Sequence, residues 1–145
     1  MTFAVVLAVV WIPAAPAFAA TENLSEEPDD SWGVTGLSDA FATNMDAQVL
    51  AIEQIGNTVY VGGKFLEVVE RRDRPGYDQA FLAAFDATTG EWIDWWTPRF
   101  NGLVHALEAA PDGSRLFVGG EFTSVDGIPN TEGFVSLDPA TGRVQ

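Results

Sequence analysis

Apolar and polar residues in this chain follow a pattern that occurs twice. Three apolar segments recur in the same order, and they are residues 49–53, 58–65 and 81–90 in the first copy and residues 104–108, 115–122 and 133–142 in the second. The most similar pair reads TVYVGGKF and RLFVGGEF. Val49 and Val104 begin the two copies 55 residues apart. A step of this size, filled with short apolar runs and turn residues, predicts tandem all-β units.

Alternation within the middle segment predicts how each strand is buried. Val59 and Val61 point to one face of a strand, and Tyr60 points to the other. The second copy repeats this arrangement with Leu116, Val118 and Phe117. Because both faces are apolar, we expect these strands to be covered on both sides, unlike strands of a sheet with one solvated face.

Four strands per unit are predicted from the apolar runs and the turns between them. In the first copy these strands are residues 49–54, 58–65, 80–86 and 91–96. The first turn contains Asn57, and in the second copy it is residues 111–114 (PDGS). A later turn has the sequence Asp-x-x-Thr-Gly in both copies, where Asp accepts backbone N–H groups and Gly takes the left-handed conformation. Small four-stranded sheets that are apolar on both faces and repeated in tandem describe β-propeller blades.

The same residues resemble a known family of repeats. The patterns V-x-A-[IL]-E, [VL]-[YF]-V-G-G-x-F and [FL]-D-x-[AT]-T-G, together with residues 122–127 (FTSVDG), are similar to the delta-60-type tandem β-propeller repeats of secreted bacterial proteins. This resemblance covers residues 49–145. It implies an all-β fold of tandem four-stranded antiparallel blades, with one blade at 48–102 and a truncated second blade at 103–145. It implies a structural or binding repeat and no agreed reaction.

The first 20 residues predict export. They carry no charged side chain, and an apolar run over residues 3–12 leads into an Ala-Phe-Ala sequence at 17–19. This layout is typical of a signal peptide, here cleaved close to Ala19, and it places the protein outside the cell or on its surface. The alternative is an N-terminal anchor, but the run is shorter than the roughly 20 residues that span a bilayer. We therefore expect no membrane span after cleavage.

Residues 21–47 are predicted to be an acidic linker followed by an irregular lead-in. Residues 21–30 (TENLSEEPDD) show no apolar periodicity, which favours a solvated segment. Two interpretations remain for residues 31–47. Ser38 and Asp39 are suitable caps for a short helix, whereas residues 32–34 fit an outer strand of a neighbouring unit.

Composition narrows the range of partners. The chain has 145 residues, of which 47% are hydrophobic, so it can bury a core. Its formal charge of −14 opposes binding to a nucleic-acid backbone or an anionic membrane. It contains no cysteine, which excludes disulfides, thiolate catalysis and cysteine-based metal sites.

Few residues offer catalytic or metal-binding chemistry. His105 is the only histidine and aligns with Leu50, so a structural role is predicted for it. Asp112, Asp126 and Asn130 lack the spacing of a calcium loop and are assigned to turns. The glycine pairs lack the spacing of a phosphate loop, so we assign them to close backbone packing within a blade.

A quinoprotein propeller is the alternative considered for the tryptophans. Residues 86–90 with Trp92 and Trp95 look like the docking pattern of that class, but the tryptophan is out of register by one residue. The preferred interpretation is a hairpin turn followed by aromatic residues of an edge strand. No cofactor and no metal are predicted.

The connection between the second and third strands is where the two copies differ. It is five residues longer in the first copy, and it lies within a basic cluster in an otherwise acidic chain. Loops on rigid scaffolds often carry function, so this loop is the candidate ligand site. Its residues are Lys64, Arg71, Arg72, Arg74 and Tyr77. The alternative is a solvated loop whose charges offset nearby carboxylates.

Together these features predict a secreted, non-enzymatic binding or scaffold module with an unknown protein or carbohydrate ligand. The alternative is a fragment of an extracellular propeller enzyme, either a quinoprotein-like oxidoreductase or a carbohydrate-active protein. Closed propellers use about four to eight blades, so the sequence predicts an incomplete propeller whose gene encodes further blades. Two open blades leave apolar faces uncovered, so we expect the 145-residue product to be oligomeric or poorly folded.

Overall fold

A computed structural model describes residues 32–38, 43–44, 46–70 and 75–145 of the chain. In these ranges the protein is all-β, with eleven short strands and no helix. The strands are β1 (Gly33–Thr35), β2 (Leu37–Ser38), β3 (Thr43–Asn44), β4 (Gln48–Ile55), β5 (Thr58–Lys64), β6 (Glu67–Val69), β7 (Tyr77–Asp78), β8 (Leu82–Asp86), β9 (Val104–Ala109), β10 (Leu116–Gly120) and β11 (Phe134–Leu137). The predicted signal peptide and acidic segment lie outside the described residues.

Two equivalent three-stranded antiparallel sheets form the body of the structure. Unit 1 has the strand order β4-β5-β8, and unit 2 has the order β9-β10-β11 when listed from the first strand. Three of the four strands predicted for the first copy are therefore confirmed, with small shifts at their ends. Both units have a bulge at the same place, where the second glycine of the pair, Gly63 or Gly120, faces the first strand.

The fourth strand predicted at residues 91–96 is wrong. Of residues 91–96, only Trp92 pairs with the sheet, through a single bridge to Phe85. The chain then turns at residues 94–95. Trp96 follows this turn and is buried between the two units. In unit 2, Val144 bridges Leu137 in the same way that Trp92 bridges Phe85 in unit 1. Each described unit is thus a three-stranded sheet with a single bridged residue at its edge.

The longer connection of unit 1 folds into a sheet of its own. Strands β6 and β7 lie within it and pair with each other, and β1 pairs with the other edge of β6. We call this β1-β6-β7 sheet the side sheet. The helix considered for residues 31–47 is wrong where the chain is described, since β1 is a strand and β2 pairs with β3. The predicted outer strand exists, but its partner is the inserted segment.

Each unit has two faces, and we name them by what they contact. The front face of unit 1 contains Tyr60, Leu82 and Ala84, which are buried against unit 2. The back face of unit 2 contains Val104 and Leu107, on the strand β9 that lies against β4 and β5. Most of the back face of unit 1 is covered by the side sheet, because Val34, Val68 and Trp32 pack with Val61, Ala83 and Phe85.

The predicted turns are confirmed in both units. The Oδ1 atom of Asp86 accepts the N–H groups of Thr88 and Thr89 at 2.8 and 2.9 Å. In unit 2, Oδ1 of Asp138 accepts those of Ala140 and Thr141 at the same distances. The closing glycines Gly90 and Gly142 have positive φ of 74° and 72°. The described residues contain no helix that is long and apolar enough to cross a membrane.

Candidate functional site

The structure describes two of the five residues predicted for the ligand loop. Lys64 ends β5 and is paired with Gln48, whereas Tyr77 lies on β7 of the side sheet. The remaining three, Arg71, Arg72 and Arg74, lie outside the described residues. The predicted loop is therefore partly a pair of strands. Lys64 is partly buried, and Tyr77 is the more exposed of the two, with 49% of its area exposed.

Tyr77 belongs to a cluster of three aromatic rings. Its ring centroid lies 5.1 Å from that of Trp92 and 5.5 Å from that of Trp32, and the two tryptophan centroids are 5.8 Å apart. The interplanar angles of 42° to 45° are tilted arrangements, which aromatic pairs favour over a face-to-face sandwich. We call Trp32, Tyr77 and Trp92 the aromatic cluster.

Three separate parts of the chain bring these rings together. Trp32 precedes β1, Tyr77 starts β7, and Trp92 is the bridged residue after the first Asp-x-x-Thr-Gly turn. The two tryptophans pack on the buried core of Phe65, Val68 and Ala83. That core holds the tryptophans in place, while Tyr77 is left half-exposed above them. Of these three residues, only Tyr77 is a candidate site residue from the sequence; the sequence pattern indicates an edge strand for Trp92 and no site role for Trp32.

The polar groups around the rings differ in position. The indole Nε1 of Trp92 is buried and has no hydrogen-bond partner among the described residues. On the side sheet, Glu67 lies directly opposite Asp78, and Tyr77 lies opposite Val68. Because side chains alternate between the two faces of a strand, Glu67 and Asp78 lie on the face of the side sheet opposite to Tyr77. These two carboxylates are therefore not part of the aromatic cluster.

An open groove lies between the two units at the end that carries the turns. Its volume is about 400 Å³, and its lining includes Thr58, Tyr60, Ser114 and Asp138. The phenol of Tyr60 donates to the carbonyl oxygen of Pro139 at 2.8 Å. Burial raises the pKa of Tyr60 above its ordinary value of 10.0, so the hydroxyl keeps its proton further into the alkaline range than an exposed tyrosine does. We therefore assign this tyrosine to the contact between the units.

The other candidate residues have structural partners. His105 is exposed at a bulge, with Nε2 3.0 Å from Oε1 of Glu121. Asp126 accepts the N–H group of Arg99 through Oδ1 at 2.9 Å, and Asn130 has a φ of 60° in the next turn. Across the residues that the structure describes, no group of three or more His, Cys, Asp or Glu side chains could hold a metal ion.

The front face of unit 2 is the largest contrast with unit 1. Phe117 and Phe134 stack there with centroids 6.0 Å apart and an interplanar angle of 15°. Phe134 is 63% exposed, and Ser136 beside it has a buried Oγ without a hydrogen-bond partner in the described part of the chain. The expectation of two covered faces therefore holds for the front of unit 1 and fails for the front of unit 2.

No protein-family model matches this chain, and no curated protein or solved structure matches it at a significant level. The described residues form an all-β fold with small antiparallel three-stranded sheets. The likeness to delta-60-type repeats stays an expectation from the residues.

Proposed function

We propose that this chain is a secreted or cell-surface repeat module of the β-propeller type that binds a carbohydrate and catalyses no reaction. The observation that carries the proposal is the aromatic cluster, in which Tyr77 is half-exposed over two packed tryptophans. Tyr77, the exposed member, lies on β7 of the inserted segment, where unit 1 departs from unit 2. An addition to a repeated scaffold is a common place for a binding surface.

The chemistry of the cluster favours a neutral sugar. One face of a sugar ring presents C–H groups that pack on an aromatic ring. Tyr77 supplies an exposed ring for this contact, and Trp32 and Trp92 support it from below. The net charge of −14 disfavours acidic polysaccharides. A neutral polysaccharide is therefore the ligand class that we propose.

Titration with soluble neutral polysaccharides tests this proposal. Hydroxyethyl cellulose, galactomannan and soluble starch are added to the mature protein while tryptophan fluorescence is recorded, because Trp32 and Trp92 contact Tyr77 directly. We expect one of these polymers to change the fluorescence, and Tyr77→Ala to weaken binding by at least about tenfold. Trp95→Ala removes an exposed aromatic residue outside the cluster and should bind as the wild type does.

Three outcomes decide the proposal. Failure of all three polysaccharides to bind contradicts the ligand class, and equal binding by Tyr77→Ala contradicts the site. A rise in reducing ends during incubation contradicts the non-enzymatic assignment. Export is tested separately by mass spectrometry of the secreted product, where a new N-terminus close to Ala19 is expected and an intact Met1 on a membrane-retained product contradicts it.

A further inference from the structure

The contact between the two units provides a template for the front face of unit 2. The repeat places Phe117, Phe134 and Ser136 where unit 1 has the following three residues: Tyr60, Leu82 and Ala84. Tyr60 and Leu82 are 1% and 0% exposed because unit 2 covers them. The same surface of unit 2 has a stacked phenylalanine pair and no cover among the described residues. An apolar face of this kind is a contact site.

A glycine in each unit shows what the cover must supply. A Cβ atom placed on Gly62 would lie 2.5 Å from Cγ1 of Val104, so this glycine leaves space for a valine of the neighbouring unit. At the equivalent Gly119, the nearest atom to an added Cβ is the Cβ of Ala106 at 3.8 Å. Unit 2 therefore has the same socket as unit 1, but its socket is empty.

Side chains that match this socket are exposed elsewhere on the same chain. Val49 and Ile52 on β4 correspond to Val104 and Leu107 on β9. In unit 2 these positions are buried, at 0% and 9% exposure, because they pack on the front of unit 1. In unit 1 they are 46% and 65% exposed. The side sheet packs on the β5 and β8 part of this back face and leaves the β4 side chains free.

We propose that the front face of unit 2 binds the β4 edge of unit 1 in a second copy of this chain. The contact repeats the packing of β9 against β4 and β5 that the chain already makes between its own units. Val49 of the second copy enters the socket at Gly119, and Ile52 covers Phe117 and Phe134. Two different surfaces meet in this contact, so association is head to tail and gives rings where the rotation closes and filaments where it does not.

Two variants test the contact from its two sides. Gly119→Ala fills the socket while fitting the folded chain, since no atom lies closer than 3.8 Å to the added Cβ. Ile52→Glu places a charge on the other surface at a residue that is 65% exposed. Trp95→Glu is the matched control, because Trp95 is also 65% exposed. Sedimentation velocity of the full chain across a wide concentration range measures association, and near-ultraviolet circular dichroism checks that each variant is folded.

The wild type and Trp95→Glu should associate as concentration rises, and each of the two test variants alone should dissociate at least about ten times more readily. An equimolar mixture of Gly119→Ala and Ile52→Glu should form a one-to-one dimer, since each variant keeps one intact surface. A mixture that stays monomeric overturns the proposal. It is also overturned by a folded wild type that is monomeric at every concentration, in which case a further unit or another protein is the cover of this face.

Discussion

Leu82 in unit 1 and Phe134 in unit 2 occupy the same position of the repeat, but their surroundings differ. Leu82 is fully buried under unit 2, and Phe134 is 63% exposed. The strand order, the bulge and the turn are the same in both units. Burial at this position is thus set by the neighbouring unit and not by the sheet that carries the residue.

The back faces show the reverse relation. Leu107 in unit 2 is 9% exposed, whereas Ile52 at the matching position in unit 1 is 65% exposed. The exposed front and the exposed back edge therefore lie at opposite ends of the stack of two units. Repeat proteins need a cover at each end of the stack, and here the side sheet covers part of one end.

The largest expected difference between the two front faces comes from truncating the side chain at the position shared by Leu82 and Phe134. Leu82→Ala removes buried apolar contacts and should lower the free energy of unfolding by about 2–5 kcal/mol. Phe134→Ala removes a side chain that is already mostly in water and should change it by less than about 0.5 kcal/mol. Urea denaturation at low protein concentration, where association contributes little, measures both values.

Equal losses from the two substitutions would contradict this comparison. They would mean that Phe134 is covered in solution even in the dilute protein.

Leu107→Ala and Ile52→Ala form a second pair of variants for the back faces. The larger loss in the free energy of unfolding is expected for Leu107→Ala, because Leu107 is buried and Ile52 is exposed.

Much of the fold follows from the sequence because the decisive signals are local. The glycines and aspartates of the turns and the alternation around Tyr60 specify the hairpins and three strands of each unit. The glycine pair was assigned to packing within a blade, and the structure divides that role. Gly63 approaches the backbone of Gln48 within unit 1, whereas Gly62 approaches Val104 of the next unit.

The candidate site was harder to predict because its residues meet only through long-range pairing. Trp32 and Trp92 are 60 residues apart in the sequence, and their rings contact each other only because β1 pairs with the inserted β6. The segment Leu66-Glu67-Val68-Val69 departs from the matching residues 123–126 of the second copy (TSVD). Nothing local indicated that it would form a strand with partners on both edges.

A smaller difference between the units is expected from a single hydroxyl group. Tyr60 donates a hydrogen bond to the carbonyl oxygen of Pro139 in unit 2, and Phe117 is the matching residue without a hydroxyl. Tyr60→Phe should lower the free energy of unfolding by about 0.5–1.5 kcal/mol, because the bond is lost and the carbonyl is left without this donor. Phe117→Tyr adds a hydroxyl to the exposed face and should change it by less than about 0.5 kcal/mol. If Tyr60→Phe is as stable as the wild type by urea denaturation, this hydrogen bond contributes nothing to the contact.

The smallest expected effect concerns the turns, where the two units are alike. Hydrogen bonds from the backbone N–H groups of Thr89 and Thr88 lower the pKa of Asp86 below its ordinary value of 3.8. A carboxyl group with a lowered pKa in the folded state stabilises the fold above its ordinary pKa and loses that contribution as the pH falls through the folded-state pKa. As the pH is lowered below about 4, the melting temperature of Asp86→Asn should therefore fall less than that of the wild type. Glu132→Gln removes the same charge at an exposed residue and serves as the control for the change in net charge. Asp138→Asn should have the same effect as Asp86→Asn, because the pKa of Asp138 is also lowered. Partial burial raises this pKa, but hydrogen bonds from Thr141 and Ala140 lower it by more.

An unchanged dependence of the melting temperature on pH in both Asp variants would show that these turns do not contribute to acid sensitivity. A change in only one variant would show that the two units differ in their turns as they do in their faces.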